Sequence, residues 1–418
     1  GDTIQSLFPA DQSVNAEIST ASLDDVNEAI EKADLAWRKA EWRNSMPHER
    51  ARILYKVADI IEARVDELSK LQTRDNGKPL AETRALTLSA AATARYVAAA
   101  CETLNDELTT QRAPDFMTMS VHEPVGVVAA ITPWNSPIAS EVQKLAPALA
   151  GGNAVILKPA EVTSLIALEL AKIFEEAGLP KGLLSVLVGR GSVIGDAIVK
   201  HPLVRKISFT GGTSTGRHLA HIAAEKLITT SLELGGKSPT IVMQDADIEL
   251  AAKGVAYGIF SSAGQACIAG SRLFVHRSIY DQFLTRLVEI TKGLRVGHPE
   301  TAGVHLGSLI NPKHLASVDA YVQLAKKEGG QVLVGGEALT EGELAKGSFY
   351  LPTIITGLDN SAQTCQEEIF GPVLVVMKYE DEANLIAQAN DSCFGLAAGI
   401  WTENYRKAWQ LARALEVG

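Results

Sequence analysis

A regular alternation of short apolar runs and helix-length segments between residues 125 and 226 is the feature that most constrains the fold of this 418-residue chain. Short apolar strands separated by helices are typical of parallel βαβ units, whose sheets are covered on both faces. The predicted strands are VGVVAAI (125–131), AVILKP (154–159), LLSVLVG (183–189) and KISFTG (206–211). The pattern predicts an α/β fold with a doubly wound parallel sheet.

A second α/β series follows the glycine pair in LGGKS, residues 234–238. Its predicted strands are TIVM (240–243), RLFVH (272–276), QVLVGG (331–336) and VLVVMKY (373–379). We therefore expect two doubly wound domains, a first one containing residues 1–105 and 122–234 and a second one containing residues 235–418.

The first hundred residues carry apolar side chains at helical spacing, which predicts helices over 24–45, 48–72 and 79–104. The spacing then changes. In residues 116–121, FMTMSV, apolar and polar residues alternate as they do in a strand. We expect a projecting hairpin over 106–121, whose unpaired edge would join that of a second copy of the chain.

The charge balance of 39 basic and 49 acidic residues gives a net charge of -10 and argues against nucleic acid or an anionic membrane as a partner. No apolar run approaches the ~20 residues that span a bilayer. The four cysteines are scattered, without a CxxC spacing, which predicts no metal site and reduced thiols in the cytoplasm. We expect a small-molecule partner.

Two segments predict a nucleotide site at the carboxyl ends of the first series of strands. In FTGGTSTG, residues 209–216, Gly211 and Gly216 bracket a turn that opens a helix, where backbone N–H groups suit a phosphate. In LKPAEVT, Lys158 and Glu161 follow a strand and could bond ribose hydroxyls. GRGSVIG, residues 189–195, has GxGxxxG spacing, and a tight strand-to-helix turn is the better interpretation there.

Cys267, in GQACIAGSR, is the candidate nucleophile, although a buried cysteine that acts as a small apolar residue is an alternative. Gly264 and Gly270 allow close backbone approach, and the following AGSR permits a helix whose N-terminus would lower the pKa of the thiol. The remaining cysteines lack that setting and are expected to be structural: Cys101, Cys365 and Cys393.

Thiolate attack on an aldehyde requires donors for an oxyanion and later a base for water. Asn135, between two prolines in TPWNSP, is placed to hold an amide donor. Glu233 lies beside two glycines in LELGGKSP and is a candidate base. Taken alone, each of these two residues is more often structural than catalytic.

Together these segments identify a family. The chain resembles the NAD(P)-dependent aldehyde dehydrogenase superfamily over essentially its whole length and in the family's order. The motifs that carry the resemblance are TPWN (132–135), KPAE (158–161), FTGGTSTG (209–216), ELGGKSP (233–239), GQACIAGSR (264–272), EEIFGPV (367–373) and the run from Asn390 through FGLAAGIWT.

The resemblance implies that Cys267 is the nucleophile, that the Asn135 side chain and the Cys267 backbone N–H form the oxyanion hole, and that Glu233 is the base for deacylation. For the cofactor it implies ribose contacts from Lys158 and Glu161. The other residues that it places at the cofactor are Thr132, Trp134, Gly211, Gly212, Thr213, Gly216, Glu368 and Phe370. NAD rather than NADP is expected, since Glu161 would repel a 2′-phosphate.

The implied reaction is oxidation of an aldehyde to a carboxylic acid through a cysteine hemithioacetal and thioester. A coenzyme A-acylating relative, a cysteine–histidine hydrolase and a noncatalytic relative are the alternatives. Ser136, Ala139 and Gln143 would face the substrate, which predicts a wide, partly polar entrance for a bulky or hydroxylated aldehyde. The family also implies a homodimer or homotetramer and a C-terminal tail beyond residue 418, which this sequence is expected to lack.

Overall fold

The computed structural model describes residues 2–418 and divides into two compact units. The first unit contains residues 2–7, 14–75 and 83–233, and the second contains residues 8–13, 76–82 and 234–418. Within residues 2–418, every helix is too short or too polar to serve as a membrane span.

The segment up to Glu233 begins with a strand pair and a group of helices, and then alternates strands with helices. Its elements are β1 (Thr3–Leu7), β2 (Val14–Ser19), α1 (Leu23–Arg38), α2 (Ala40–Arg43), α3 (Pro47–Ala63), α4 (Val65–Asn76), α5 (Leu80–Thr103), β3 (Glu107–Leu108), β4 (Met119–Ser120), β5 (Val127–Ile131), α6 (Pro137–Ala150), β6 (Ala154–Lys158), α7 (Leu165–Glu176), β7 (Leu184–Val186), α8 (Asp196–Lys200), β8 (Val204–Thr210), α9 (Thr213–Lys226) and β9 (Thr229–Glu233).

The first unit is built on a five-stranded sheet in the order β7-β6-β5-β8-β9, in which every pair is parallel. All of β6 and the first four residues of β5 are buried, as expected for a sheet covered by helices on both faces. The register pairs Ile131 with Lys158 and with Phe209, and Thr210 with Glu233. The carboxyl ends of these strands therefore meet at one edge of the sheet.

The second half of the chain repeats the alternation. Its elements are β10 (Pro239–Val242), α10 (Ile248–Phe260), β11 (Arg272–His276), α11 (Tyr280–Lys292), α12 (Pro312–Lys327), β12 (Gln331–Val334), β13 (Thr353–Thr356), α13 (Gln363–Gln366), β14 (Val373–Tyr379), α14 (Glu382–Asn390), β15 (Gly399–Trp401) and α15 (Tyr405–Ala414). The six strands form one sheet in the order β12-β13-β14-β11-β10-β15, parallel except for the antiparallel pair β12–β13.

These observations confirm the predicted α/β class with parallel sheets. The predicted strands RLFVH and VLVVMKY coincide with β11 and β14. Two predicted helices, 24–45 and 48–72, are each two helices. The chain leaves helical geometry at Lys39, where φ is -64° and ψ is 134°, and at Arg64, where φ is -106° and ψ is 21°. The helix after KISFTG begins at Thr213, so Gly216 lies inside its first turns instead of ending the turn before it.

The division into units differs from the predicted domains in two short segments of the N-terminal region. Residues 8–13 and 76–82 belong to the second unit. Residues 8–13 belong there because Phe8 is buried in an apolar cluster with Ala10 and with Phe349 of the second unit. The predicted hairpin is present, with β3 antiparallel to β4. Its role in assembly stays a prediction.

Candidate active site

A cavity of about 640 Å³ lies in the first unit at the carboxyl ends of β5, β6 and β8. Open α/β sheets bind ligands at this edge, where loops diverge from neighbouring strands. Predicted cofactor residues that line the cavity are Thr132, Trp134, Lys158, Gly211 and Gly212. The structure thus brings together residues from three separate sequence motifs.

Lys158 and Glu161 lie at the end of β6 and in the turn that follows. The Lys158 Nζ donates to the Pro159 carbonyl at 2.8 Å, and Glu161 Oε1 accepts from the Gly191 N–H at 2.8 Å. Burial lowers the pKa of Lys158, and the Glu161 carboxylate opposes this shift. Lys158 lines the cavity, whereas Glu161 lies beside it and holds the neighbouring Gly191 segment.

The N-terminus of α9 provides the anion-binding part of the cavity. Gly212 occupies the N-cap and supplies no side-chain hydrogen bond, so the first-turn N–H groups stay available to a ligand. The buried hydroxyls of Thr132 and Thr213 have no hydrogen-bond partner among residues 2–418. A helix N-terminus, a lysine and unsatisfied hydroxyls together fit the phosphates and ribose of a dinucleotide.

GRGSVIG contributes more than the tight turn that the sequence favoured. A Cβ on Gly191 or Gly195 would lie 3.8 Å or 3.5 Å from the Lys158 side chain, which is ordinary van der Waals contact, so both positions lie against Lys158. Gly191, Ser192 and Gly195 line the cavity.

Glu233 ends β9, where its carbonyl accepts from the Gly211 N–H at 3.0 Å and its side chain is exposed. Lys144 of α6 lies close enough to interact electrostatically with the Glu233 carboxylate. Burial lowers the pKa of Lys144 to about 8, and Glu233 acts to raise it. The Lys144 Nζ also donates to Ser208 Oγ at 3.2 Å. Glu233 is therefore a solvent-accessible carboxylate next to a partly buried ammonium group.

Asn135 is half-buried in the loop between β5 and α6. Ser136 is the N-cap of α6 and Pro137 is its first residue, so the proline ring restricts the backbone of Ser136, directly after Asn135. On the same helix, Gln143 is exposed and Ala139 is buried. Of the three predicted substrate-facing residues, Ala139 is thus the least accessible within the structure.

Cys267 lies in the second unit, half-buried in a turn over residues 267–268. The chain enters β11 at Arg272, so no helix follows, and the predicted helix N-terminus beside the thiol is wrong. The physical reason is that Arg272 is fixed as the first residue of a central strand. It is 1% exposed and donates to the carbonyls of Lys237 and Ala389, both at 2.8 Å.

The glycine pair after β9 packs against the Cys267 turn. A Cβ on Gly236 would overlap the carbonyl oxygen of Cys267, so only glycine permits this approach. The Gly236 N–H donates to Glu368 Oε1 at 2.9 Å. Burial raises the pKa of Glu368, and the Gly236 hydrogen bond and the Lys237 ammonium oppose the shift.

Phe370 follows Glu368 and has a left-handed backbone with φ of 58°. Its carbonyl accepts from His314 Nε2 at 2.7 Å, and the two rings lie edge to face with centroids 6.2 Å apart. A non-glycine residue at positive φ is strained and persists only where its surroundings hold it. The predicted nicotinamide residues Glu368 and Phe370 are therefore both fixed by contacts within the second unit.

A family model for aldehyde dehydrogenases matches residues 1–418. The chain belongs to the aldehyde dehydrogenase family. Solved structures agree with this assignment. A betaine aldehyde dehydrogenase from Staphylococcus aureus in complex with NAD⁺ is 37% identical with a TM-score of 0.98, and the match covers 100% of this chain and 83% of that one. An aldehyde dehydrogenase from Bacillus cereus in complex with NAD⁺ is 38% identical with a TM-score of 0.97, covering 100% and 84%.

In this aldehyde dehydrogenase, the sequence motifs did not predict the part of the cavity lining that α8 and α9 provide. Asp196 and His218 line it from α8 and α9, and His218 Nε2 lies 2.8 Å from Asp196 Oδ1. They are 22 residues apart, and neither belongs to a motif. The glycine spacing of GRGSVIG after a strand was the one available signal for this part of the lining.

Proposed function

We propose that this aldehyde dehydrogenase oxidises an aldehyde to a carboxylic acid with NAD as the oxidant. The observation that carries the proposal is the cavity at the carboxyl edge of the first sheet, where Lys158 and the N-terminus of α9 lie together. The NAD⁺ complexes of the S. aureus and B. cereus structures support the choice of cofactor.

Residues of several motifs are proposed to hold NAD. The N–H groups around Gly212 and Thr213 would bind the pyrophosphate, and Lys158 with Glu161 would contact the adenine ribose. Glu161 has one oxygen on Gly191 and retains the other as an acceptor for a ribose hydroxyl. Glu368 and Phe370 would hold the nicotinamide ribose and ring. Bound NAD supplies the two-electron oxidation of the covalent intermediate.

The chemistry proposed for the chain's own residues starts at Cys267. Its thiolate attacks the aldehyde carbonyl, and the resulting oxyanion accepts hydrogen bonds from the Asn135 amide and the Cys267 backbone N–H. Oxidation of this hemithioacetal gives a thioester. Glu233 then takes a proton from water, which attacks the thioester, releases the carboxylate product and regenerates the thiolate.

NADH formation measured by absorbance tests the proposal, with Cys267→Ala as the control. NADH that depends on NAD, aldehyde and Cys267 but not on coenzyme A is the expected result. A requirement for coenzyme A would instead indicate the acylating reaction. Thiol-dependent ester hydrolysis without NAD would indicate a hydrolase, and the absence of every signal would indicate a noncatalytic relative.

For the substrate we propose a bulky or hydroxylated aldehyde, because Ser136, the N-cap of α6, and Gln143, within α6, carry polar side chains. Steady-state rates across a broad aldehyde panel test this. A strong preference for acetaldehyde or propanal would contradict it.

For assembly we propose that the β3–β4 hairpin pairs copies of the chain in a homodimer or homotetramer. Its side chains are exposed and apolar at Leu108, Phe116 and Met119, with 71%, 66% and 59% exposure. Light scattering on the protein and on a Phe116→Ser/Met119→Ser variant tests this, and an unchanged mass would contradict it.

For localisation we propose the cytoplasm, because the Cys267 nucleophile must stay a free thiol and the cytoplasm keeps thiols reduced.

A further inference from the structure

Three consecutive residues just before the Cys267 turn have left-handed backbone geometry. The φ angles are 57° at Ser262, 52° at Ala263 and 70° at Gly264. Two of the three carry a Cβ, for which this region is costly, so the surroundings must hold the segment in place. Strain of this kind is concentrated at functional sites, and here it lies directly before the proposed nucleophile.

Glu82, at the start of α5, holds this segment with both carboxylate oxygens. Oε1 accepts from the Ser262 N–H at 2.9 Å, and Oε2 accepts from the Ser262 hydroxyl at 3.0 Å. The Ser262 carbonyl accepts from the backbone N–H and the side-chain Nε2 of Gln265, both at 3.1 Å. All three polar groups of Ser262 are therefore engaged.

The position of Ser262 is passed on to Cys267 through Gln265, two residues before the thiol. The buried Gln265 side chain also accepts from the Ile310 N–H at 2.9 Å, which fixes it from the opposite side. Gly264 lies directly on the Gly371 backbone, and a Cβ there would overlap the Gly371 carbonyl. Because Gln265 and Gly264 are both held by these contacts, a displacement of Ser262 is expected to displace the Cys267 turn as well.

Glu82 is itself anchored by a buried lysine. The Lys78 Nζ lies 4.0 Å from Glu82 Oε2, and the Lys78 side chain is 2% exposed. Burial lowers the pKa of Lys78 to about 8, and Glu82 opposes the shift. The carboxylate that holds Ser262 is thus paired with a buried cation in the same unit.

We propose that Glu82 is a positioning residue, which holds Ser262–Gly264 in left-handed geometry and thereby sets the direction of the Cys267 thiol. The inference rests on the proposed role of Cys267 as the nucleophile. Glu82 touches neither substrate nor cofactor, and it acts through Ser262 and Gln265.

The test compares Glu82→Ala with Glu82→Gln in the full chain. Alkylation of Cys267 by iodoacetamide is followed peptide by peptide, and the exposed Cys393 is the internal reference. Glu82→Ala is expected to slow Cys267 alkylation and the first burst of NADH by roughly ten- to hundredfold, while the Kd of NAD and the alkylation of Cys393 stay unchanged. Glu82→Gln retains an acceptor for the Ser262 N–H and is expected to keep most of both rates.

A rescue separates positioning from general stabilisation. Glycine adopts positive φ without strain, so Ser262→Gly/Ala263→Gly in the Glu82→Ala background is expected to restore both rates. If Glu82→Ala acted only by lowering the stability of the second unit, the two added glycines would lower it further and neither rate would recover. Glu249→Ala is the matched control, because Glu249 is a carboxylate of the second unit that bonds exposed Arg286 and Lys253 on helices, away from the Ser262 segment.

Unchanged Cys267 alkylation and an unchanged burst in a folded Glu82→Ala protein would overturn the proposal, as would failure of the glycine rescue. If Glu82→Ala does not fold, Glu82→Asp replaces it, because the shorter side chain cannot reach both Ser262 groups. A failure of the proposed function can be distinguished from a failure of the positioning role. Wild-type protein that forms no NADH, yet loses Cys267 alkylation on the Glu82 change, would refute the function and retain the positioning.

Discussion

The Gly236 N–H donates a 2.9 Å hydrogen bond to Oε1 of Glu368, which joins the glycine pair after β9 to the segment before β14. The two glycines of that pair have different neighbours. A Cβ on Gly235 would overlap the Glu368 carboxylate, whereas a Cβ on Gly236 would overlap the Cys267 carbonyl. Adjacent positions in the chain thus support two different parts of the proposed site.

The glycine pair therefore offers a matched comparison. Gly235→Ala is expected to displace Glu368 and to weaken NAD binding by about tenfold, with little effect on Cys267 alkylation. Gly236→Ala is expected to slow Cys267 alkylation by about tenfold or more and to leave the Kd of NAD nearly unchanged. Fluorescence titration with NAD and thiol labelling measure the two effects. Identical losses in both variants would show that the segment acts only as a structural support.

Glu233→Gln separates the two halves of the proposed reaction. Loss of the base is expected to preserve the first burst of NADH and to slow steady-state turnover by about hundredfold, because only hydrolysis of the thioester requires it. Stopped-flow absorbance measures both phases. Loss of the burst itself would contradict the assignment of Glu233 to deacylation.

Glu161→Gln is expected to relax the choice of NAD over NADP. The carboxylate repels a 2′-phosphate, so its removal should improve kcat/KM with NADP by about tenfold relative to NAD. The amide oxygen of glutamine can still accept from the Gly191 N–H, which preserves the local fold. Glu176→Gln, an exposed carboxylate at the end of α7, is the control. Equal efficiency of wild-type protein with the two cofactors would refute the basis of this prediction.

Glu141 predicts a pH dependence of stability. Both of its carboxylate oxygens are buried without a hydrogen-bond partner among residues 2–418. Burial raises the pKa of Glu141 well above its usual value, and the nearby Asp75, whose own pKa burial raises to about 7, adds to the shift. A raised pKa means that the folded protein binds more protons than the unfolded chain above pH ~4.3, so the free energy of unfolding falls as the pH rises.

Glu141→Gln removes this penalty while keeping the side-chain shape. It is expected to stabilise the protein by ~1–3 kcal/mol at a pH of about 8, and the gain should shrink toward a pH of about 5. Thermal or urea unfolding across that pH range measures the difference. A variant that is less stable than wild type at the higher pH would contradict the prediction.

The sequence by itself determined the features that depend on local pattern. Apolar runs fixed the buried strands β5, β6, β11 and β14, because a strand covered on both faces needs near-continuous apolar residues. The ordered motifs identified the family and the candidate residues. The alternation of apolar and polar residues in FMTMSV, residues 116–121, also predicted the β3–β4 hairpin. Strands with exposed or half-buried positions were missed, namely β1, β2, β9 and β15. The buried β13 was missed as well, because its four residues, TIIT, begin and end in threonine and form no long apolar run.

Only the tertiary structure decided how the candidate residues are held. The residues after Cys267 were compatible with a helix, but the burial of Arg272 in a central strand excludes one. The bond of Glu82 to Ser262 joins residues 180 apart, and the wall of the cavity at Asp196 and His218 joins two helices. Such contacts depend on which elements pack together, and that choice is a property of the whole unit that local spacing does not encode.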